Sequence, residues 1–265
     1  MALITLTSDY GWKDHYLAGV KGRFFRELES PQIVDITHDI QPFNLQEAAF
    51  VLHRAFPDFP EGSIHIALID EIPEKGKGLL VARFKGHYFL MADNGLLSLI
   101  LRDENPDMVL TLDLRNEHLD QPTQQFVRAA AHLYRGGKME LLGRRTEEWV
   151  VWNHLNPTII SESKVIKGHV VYVDNYGNLI TNIHRAMLRN LGTETGASVT
   201  TPRFRKSIPL VSAYSDGRNQ GDLLSLFNAD GYLEVGVFKS MGFHHNGASS
   251  LLGLKVGDEI NLNFK

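Results

Sequence analysis

The chain has 265 residues, a formal charge of −4 and no cysteine. Its length fits one large or two modest domains with a real core, and the lack of cysteine excludes disulfides, thiolate metal sites and a cysteine nucleophile. The negative net charge gives no basic surface for nucleic acid, so nucleic-acid binding is not expected. The sequence shows neither a signal-like N-terminus nor a run of roughly 18 apolar residues. We therefore expect a cytoplasmic protein that does not bind membranes.

The first half of the chain alternates strand-like and helix-like segments. The run "ALITLTSD" precedes a helical pattern at about 14–30. Four apolar side chains fall on one face of that helix: Leu17, Val20, Phe24 and Leu28. Further strands ("QIVDITHD", "SIHIALID" and "GLLVARFKGHYFLMADN") alternate with "NLQEAAFVLHRAF", which Asn44 opens as an N-cap, and "TQQFVRAAAHLYRGG", which two glycines end. This alternation predicts an α/β fold with a mostly parallel sheet.

The pattern changes after residue 157. Five short β-rich runs follow without a long amphipathic helix, and turn residues separate them: "HVVYVD", "NLITNI", "IPLVSAY", "GYLEVGVF" and "EINLNF". They indicate an antiparallel β domain, either a small barrel or a sandwich. We therefore divide the chain into an α/β domain at 1–157, a linker at 158–166 and a β domain at 167–265.

Acidic or amide residues follow four of the predicted strands. They are Asp9, Asp39 beside His38, Asp70, and Asp93 with Asn94. Ligands of open α/β sheets bind beyond the carboxyl ends of the strands. Neither GxGxxG nor GxxxxGK[ST] occurs, so the usual phosphate cradles are missing. Carboxylates at this edge accept hydrogen bonds from a ribose diol or pair with ammonium or sulfonium charge, so the pattern predicts a cationic or hydroxyl-rich ligand.

Structural roles compete with this interpretation at each position. Asp and Asn are common after strands because they form turns, and we expect His38 to be a hydrogen-bonded structural histidine. His244 and His245 are expected to be solvated loop residues. Another function class stays open, a metal-dependent hydrolase whose ligands would be Asp9, His38, Asp39 and Asp93.

Several motifs, in this order along nearly the whole chain, resemble one known family. They are "TSDYGWKDHY", "VDITHDIQPFNLQEAA", "ADNGLL", "VDNYGNLITNI" and "GYLEVGV…GASSLLGLKVGD". Together they resemble the S-adenosylmethionine (SAM) hydroxide adenosyltransferases, relatives of the fluorinase and chlorinase enzymes. The resemblance implies a Rossmann-like N-terminal domain and a C-terminal β-barrel. It also implies a homotrimer with active sites between the N-domain of one subunit and the C-domain of its neighbour, SAM as substrate and no cofactor.

The resemblance assigns three carboxylates to the substrate. Asp9 matches the residue that clasps the ribose 2′ and 3′ hydroxyls. Asp14 and Asp174 match partners of the methionine ammonium group. A cationic amino acid needs such carboxylates, which agrees with the residue types.

The resemblance also assigns an aromatic and amide set. Phe43 matches an aromatic wall beside the ribose, Tyr176 matches the adenine stack, and Asn178 matches an amide contact to adenine. A purine offers π-faces and a polar edge, which suits these side chains. A simple hairpin turn at "NYGN" is the structural alternative, and the two roles are compatible.

The catalytic positions depart from the family pattern. Asp70 matches the first member of the family's catalytic set, but the arginine position falls on Lys77, in the loop "DEIPEKGKG", which lacks the family's glycines. The histidine position falls on Gln121, and His118 would substitute only if its loop were rearranged. The catalytic residues implied are thus Asp70, Lys77 and Gln121.

The expected reaction is hydrolysis of SAM to adenosine and methionine, by in-line attack of water or hydroxide on the 5′ carbon. Asp70 would orient or partly deprotonate the water, and Lys77 would hold hydroxide electrostatically. A halogenase is not expected, because Asp70 would repel a halide ion. The alternative in a different class is a SAM- or adenosine-binding protein without catalysis.

Overall fold

A computed structural model describes residues 2–102, 104–113, 121–153, 156–190, 196–202, 207–240 and 247–264. His118, His244 and His245 lie outside these described residues. The chain divides into two compact units, Met1–His154 and Leu155–Lys265. Within the described ranges, no helix combines the length and apolar character that crossing a membrane requires.

The first unit is an α/β unit around a seven-stranded sheet. Its helices and strands are β1 (Ile4–Ser8), α1 (Tyr16–Glu27), β2 (Ile33–Thr37), α2 (Leu45–Ala55), β3 (Ile64–Leu68), β4 (Leu79–Phe84), β5 (His87–Ala92), α3 (Leu96–Leu101), β6 (Met108–Leu112), α4 (Pro122–Tyr134) and β7 (Gly143–Arg145). The strand order is β2-β1-β3-β5-β4-β6-β7. The first four are parallel neighbours, whereas β4, β6 and β7 each pair antiparallel. Since β4 is antiparallel to both β5 and β6, strand β6 has the same direction as β5. Five of the seven strands therefore point the same way, and the sheet is mostly parallel, as predicted.

Helices cover both faces of this sheet, and the predicted apolar stripe of α1 is confirmed. Leu17, Val20, Phe24 and Leu28 are buried in a core that α1 shares with α4. A second core lies on the other face under α2 and α3. The Asn44 side-chain oxygen accepts the Glu47 backbone N–H at 3.1 Å, so the predicted N-cap of α2 is also confirmed.

The second unit is a nearly closed antiparallel barrel. Its strands and one short helix are β8 (Thr158–Ile160), β9 (Val165–Val173), β10 (Leu179–His184), β11 (Ser198–Thr200), β12 (Ile208–Pro209), β13 (Leu223–Phe227), β14 (Tyr232–Val237), α5 (Ala248–Leu252) and β15 (Glu259–Asn263). The strand order is β12-β11-β15-β9-β10-β14-β13. A bridge between Leu210 and Ser225 joins the two ends of this order. Of the two predicted architectures, the barrel is the one observed.

Residues 158–166, expected as a linker, belong instead to the second sheet. Thr158–Ile160 forms β8, which pairs antiparallel with the start of β9. Lys164 turns the chain between them with a positive φ of 51°. The physical reason is that all three residues of the run Thr-Ile-Ile are β-branched, and β-branched residues favour a paired strand over an exposed linker.

A buried histidine pair lies at the amino-terminal end of the parallel strands. His65 shares a hydrogen bond with the Thr5 hydroxyl at 2.8 Å, and its second ring nitrogen lies 3.2 Å from His87. The Phe56 ring packs edge-on against both imidazoles. His65 is 1% exposed, and this burial, with His87 beside it, lowers the pKa of His65 to about 3.

The fold should therefore lose stability as the pH falls below about 6.5, the ordinary histidine value. The unfolded chain takes up a proton on His65 there, while the folded chain takes it up only near pH 3. Unfolding free energy should fall by at most about 1.4 kcal/mol per pH unit on account of this residue. Urea titrations at pH 7, 6 and 5 measure the slope. His65→Gln should have a shallower pH dependence than the wild type, and equal slopes would contradict the assignment.

Candidate active site

The parallel pairing of β2, β1, β3 and β5 brings the ends of these strands to one edge of the sheet. The residues that follow them are the polar ones singled out in the sequence: Asp9 after β1, His38 and Asp39 after β2, Asp70 after β3, and Asp93 with Asn94 after β5. In the parallel ladder Ser8 pairs with Leu68, so the chain segments that carry Asp9 and Asp70 leave the sheet side by side. We call this group of carboxylates the acidic rim.

Asp9 lies beside Phe43 at this edge. The carboxylate oxygen Oδ2 of Asp9 accepts the Phe43 backbone N–H at 2.9 Å. Phe43 has a positive φ of 64°, and its side chain is 72% exposed. The structure thus brings together two residues that the sequence assigned to the ribose. The described contacts engage one oxygen of Asp9, so the other remains available to a hydroxyl donor.

Asp70 is held by its backbone rather than by a side-chain partner. Its φ is +44°, in the left-handed region that non-glycine residues rarely adopt. The Asn94 side-chain amide donates to the carbonyl oxygens of Ile69 and Asp70, at 3.0 Å each. Among the described ion pairs none uses Asp9 or Asp70. The half-buried Asp70 carboxylate is therefore not neutralised by a described cation.

Asp93 has a structural role in the rim. It is 8% exposed, and its Oδ1 accepts the Val150 backbone N–H at 2.7 Å. Two residues later, Trp152 donates its backbone N–H to Ser98 and lays its ring against Gly95. Asp93 therefore fastens residues 150–152 over the end of β5, and its burial leaves little of the carboxylate accessible to a ligand.

His38 is buried and hydrogen-bonded to Ser8, which confirms its predicted structural role. Its Nδ1 lies 2.7 Å from the Ser8 hydroxyl, and its Nε2 lies 3.1 Å from Asp35, which binds Lys21 at 2.6 Å. Burial lowers the pKa of His38, although Asp35 opposes this effect. Ser8 and His38 are both 0% exposed. The Ser-His-Asp order therefore offers no nucleophile to a substrate, and it fixes the ends of β1 and β2 instead.

The structure does not support the metal-dependent alternative. In the ranges that it describes, no three His, Cys, Asp or Glu side chains are placed to hold an ion. The proposed ligands are also engaged elsewhere, since His38 is buried among Ser8 and Asp35, and Asp93 binds the Val150 backbone.

Three further predicted residues lie around the rim without a described contact to Asp70. Asp14 is exposed, between β1 and α1. Lys77 is exposed in the loop before β4, where its backbone N–H binds the Glu74 carbonyl at 2.9 Å. Gln121 is exposed at the N-cap position of α4, and its side chain does not cap that helix. Their catalytic or binding roles stay predictions.

A polar cluster that the sequence analysis missed lies next to Asp70. Both carboxylate oxygens of Glu71 accept the Thr123 hydroxyl, at 3.1 and 3.2 Å, and the Tyr10 side chain lies beside the same carboxylate. Burial, followed by the effect of Glu71, raises the pKa of Tyr10, so its hydroxyl keeps its proton. The one signal in the sequence is position, because Tyr10 follows Asp9 and Glu71 follows Asp70.

In the second unit, the predicted residues after β9 form one tight turn. Asp174 Oδ1 accepts the backbone N–H groups of Tyr176 and Asn178 at 2.9 Å each, and Oδ2 accepts the Asn178 side-chain amide at 2.9 Å. Gly177 completes the turn with a positive φ of 76°. Tyr176 lies at the tip and is 65% exposed, whereas Asn178 is 8% exposed. The turn predicted as the structural alternative is present, and the ligand roles of these residues stay predictions.

Comparisons with known proteins agree with the two-unit architecture. A relative from Methanocaldococcus jannaschii, named (R)-S-adenosyl-L-methionine hydrolase, is 28% identical over 98% of this chain and 95% of its own length. A protein of the same name from Thermus thermophilus is 28% identical over 99% of this chain and all of its own. A fluorinase from Actinopolyspora mzabensis is 25% identical over 88% of this chain and 89% of its own length.

A solved structure gives the same result for the fold. The crystal structure of an uncharacterized conserved protein from Thermotoga maritima superposes with a TM-score of 0.87 and 28% identity, over 99% of this chain and all of that one. The profile of the SAM hydroxide adenosyltransferase N-terminal domain matches residues 4–143, and that of the C-terminal domain matches residues 168–261. These matches cover most of both units, and the chain belongs to the SAM hydroxide adenosyltransferase family.

Proposed function

We propose that this protein hydrolyses SAM to adenosine and methionine. Water or hydroxide attacks the 5′ carbon in line with the departing sulfur, the carbon–sulfur bond breaks, and one proton is released. Family membership and the hydrolase names of two relatives support this reaction. In this chain the main support is the position of two carboxylates. Asp9 and Asp70 follow adjacent parallel strands, and neither takes part in a described ion pair.

Asp70 is the proposed partner of the attacking water. A hydroxide that meets a sulfonium loses charge in the transition state, so a site that removes water from the nucleophile accelerates the step. The Asp70 carboxylate accepts a hydrogen bond from the water and takes part of its proton. Lys77 then stabilises the hydroxide that develops, and Gln121 is the third proposed member of this set.

The substrate-binding roles are proposed in two groups. Asp9 accepts the ribose hydroxyls, and Phe43 beside it forms the ribose wall. Asp14 and the second unit's Asp174 bind the methionine ammonium, while Tyr176 stacks on adenine and Asn178 contacts its edge. The proposed reaction uses no cofactor. We also propose that the protein is cytoplasmic.

Asp70→Asn should abolish turnover with SAM binding retained. The amide keeps the side-chain shape but cannot take a proton, so kcat should fall at least about 100-fold. Incubation of the purified protein with SAM, followed by chromatography for adenosine and methionine, measures the reaction, and calorimetry measures binding.

The matched control is Asp107→Asn, which removes the same charge before β6, at the opposite edge of the sheet. Its turnover should equal that of the wild type. If the wild type binds SAM but leaves it intact after long incubation, the hydrolase proposal is wrong and the binding protein without catalysis is favoured.

Asp9→Asn should weaken binding rather than chemistry. The Phe43 N–H would bind the amide oxygen, which leaves an NH₂ group where the ribose diol needs an acceptor. Loss of this charge-assisted bond should raise KM for SAM by about 10- to 100-fold, with kcat changed much less. Steady-state kinetics separates the two constants, and an unchanged KM would remove Asp9 from the ribose site.

We also propose a homotrimer whose active sites combine the first unit of one subunit with the second unit of the next. Light scattering on the purified protein should give three times the mass of the chain. Mixing Asp70→Asn with Tyr176→Ala subunits should then restore part of the activity that each variant lacks, because some interfaces would combine two intact halves. A monomer with full activity would contradict this arrangement.

A further inference from the structure

Glu71 joins the three chain segments that carry the proposed reaction. Its own segment carries Asp70, the neighbouring Tyr10 follows Asp9, and its hydrogen-bond partner Thr123 lies two residues after Gln121. These segments are far apart in sequence, and Glu71 is 52 residues from Thr123. The Glu71 carboxylate therefore ties the segment after β3 to the first turn of α4, next to the end of β1.

The start of α4 needs a negative group, and Glu71 supplies it. The helix has 13 residues, no acidic side chain in its first turn and no side-chain cap from Gln121. Its first N–H groups and its dipole favour a negative charge at that end. Thr123 is 4% exposed, so its hydroxyl bond to Glu71 is shielded from competing water.

The same bonds act on Asp70, the neighbour of Glu71. Asp70 has a strained backbone, and Asn94 restrains only the peptide groups of Ile69 and Asp70 themselves. The next restraint along the chain is the Glu71 side chain. Without it, the loop at 71–78 would be free to let Asp70 relax toward extended backbone, which would turn its carboxylate away from the substrate.

We propose that Glu71, held by the Thr123 hydroxyl beside Tyr10, is the positioning residue that sets the direction of the Asp70 carboxylate in this chain. This inference rests on the proposed function for its kinetic consequence. Glu71 does not touch the reacting atoms, so its loss slows the chemical step without changing the substrate contacts of Asp9.

The test compares Thr123→Val, which deletes the hydroxyl at nearly constant shape, with Thr123→Ser, which retains it. In Thr123→Val, kcat should fall about 10-fold with little change in KM, which corresponds to one lost hydrogen bond to a charged group. Thr123→Ser should restore kcat. Tyr10→Phe deletes the other hydroxyl, should change kcat in the same way, and serves if Thr123→Val does not fold.

Ser63→Ala is the matched control. Ser63 is also fully buried and donates its hydroxyl to Pro60, but it precedes β3, at the opposite end of the strand that leads to Asp70. This variant should lose stability with kcat unchanged. If Thr123→Val only lowers the melting temperature and keeps the wild-type kcat, Glu71 is merely structural and the inference fails.

Hydrogen exchange tests the role of Glu71 without relying on the hydrolysis of SAM. The backbone amides of Asp9 and Gln124 donate to the carbonyl oxygens of Leu68 and Gln121, in the segments on either side of Glu71, and they should exchange at least about 10-fold faster in Thr123→Val than in the wild type or Thr123→Ser, without any substrate. A wild type that does not hydrolyse SAM would overturn the proposed function, while exchange would still decide the role of Glu71. Unchanged exchange would overturn the inference, whatever the turnover.

Discussion

The parallel pairing of β1 with β2 and β3 is the constraint on which the rest of the first unit depends. A parallel ladder makes all its strands end at the same edge, and the ladder of Ser8 with Leu68 fixes which residues leave the sheet together. The buried chain from Ser8 through His38 to Asp35 then locks the ends of β1 and β2. Carboxylates that are distant in the sequence become neighbours because of this backbone arrangement.

The acidic side chains at this edge differ in what their environment allows them to do. A carboxylate bound to a buried backbone N–H, as Asp93 is to Val150, stabilises the fold and has little left for a ligand. Asp9 has one oxygen in such a contact, and Asp70 is held only through its peptide groups. The distinction between structural and chemical carboxylates therefore depends on their partners, because all of them follow strands in the same way.

The sequence predicted what local periodicity and capping determine. The buried face of α1 and the Asn44 cap are properties of a few consecutive residues, and both were confirmed. The short strand β8 was assigned to a linker, because three residues are too few for a period-two pattern to be recognised. The antiparallel direction of β4 depends on the turn at Lys85 and Gly86, where both φ angles are positive as a two-residue hairpin turn requires.

The site was predictable to the extent that it follows strand ends. The positions of Asp9 and Asp70 result from topology and a motif, and the sequence contains both. The bond of Glu71 to Thr123, beside Tyr10, could not be predicted, because it joins segments that only the complete fold brings together. The turn at Asp174 was predictable in contrast, because its hydrogen bonds join residues only two and four positions apart.

The backbone of Asp70 shows that contacts within the first unit hold a strained conformation at the end of β3. A non-glycine residue in the left-handed region costs about 1 to 3 kcal/mol. The two hydrogen bonds that Asn94 donates around Asp70 contribute about 1 to 3 kcal/mol in total, since each is worth roughly 0.5 to 1.5 kcal/mol. Because the two quantities are of similar size, the Asn94 bonds offset the strain without a large surplus, and the restraint proposed for Glu71 adds to them. Substrate binding energy is then not needed to create it, and remains available for stabilising the transition state.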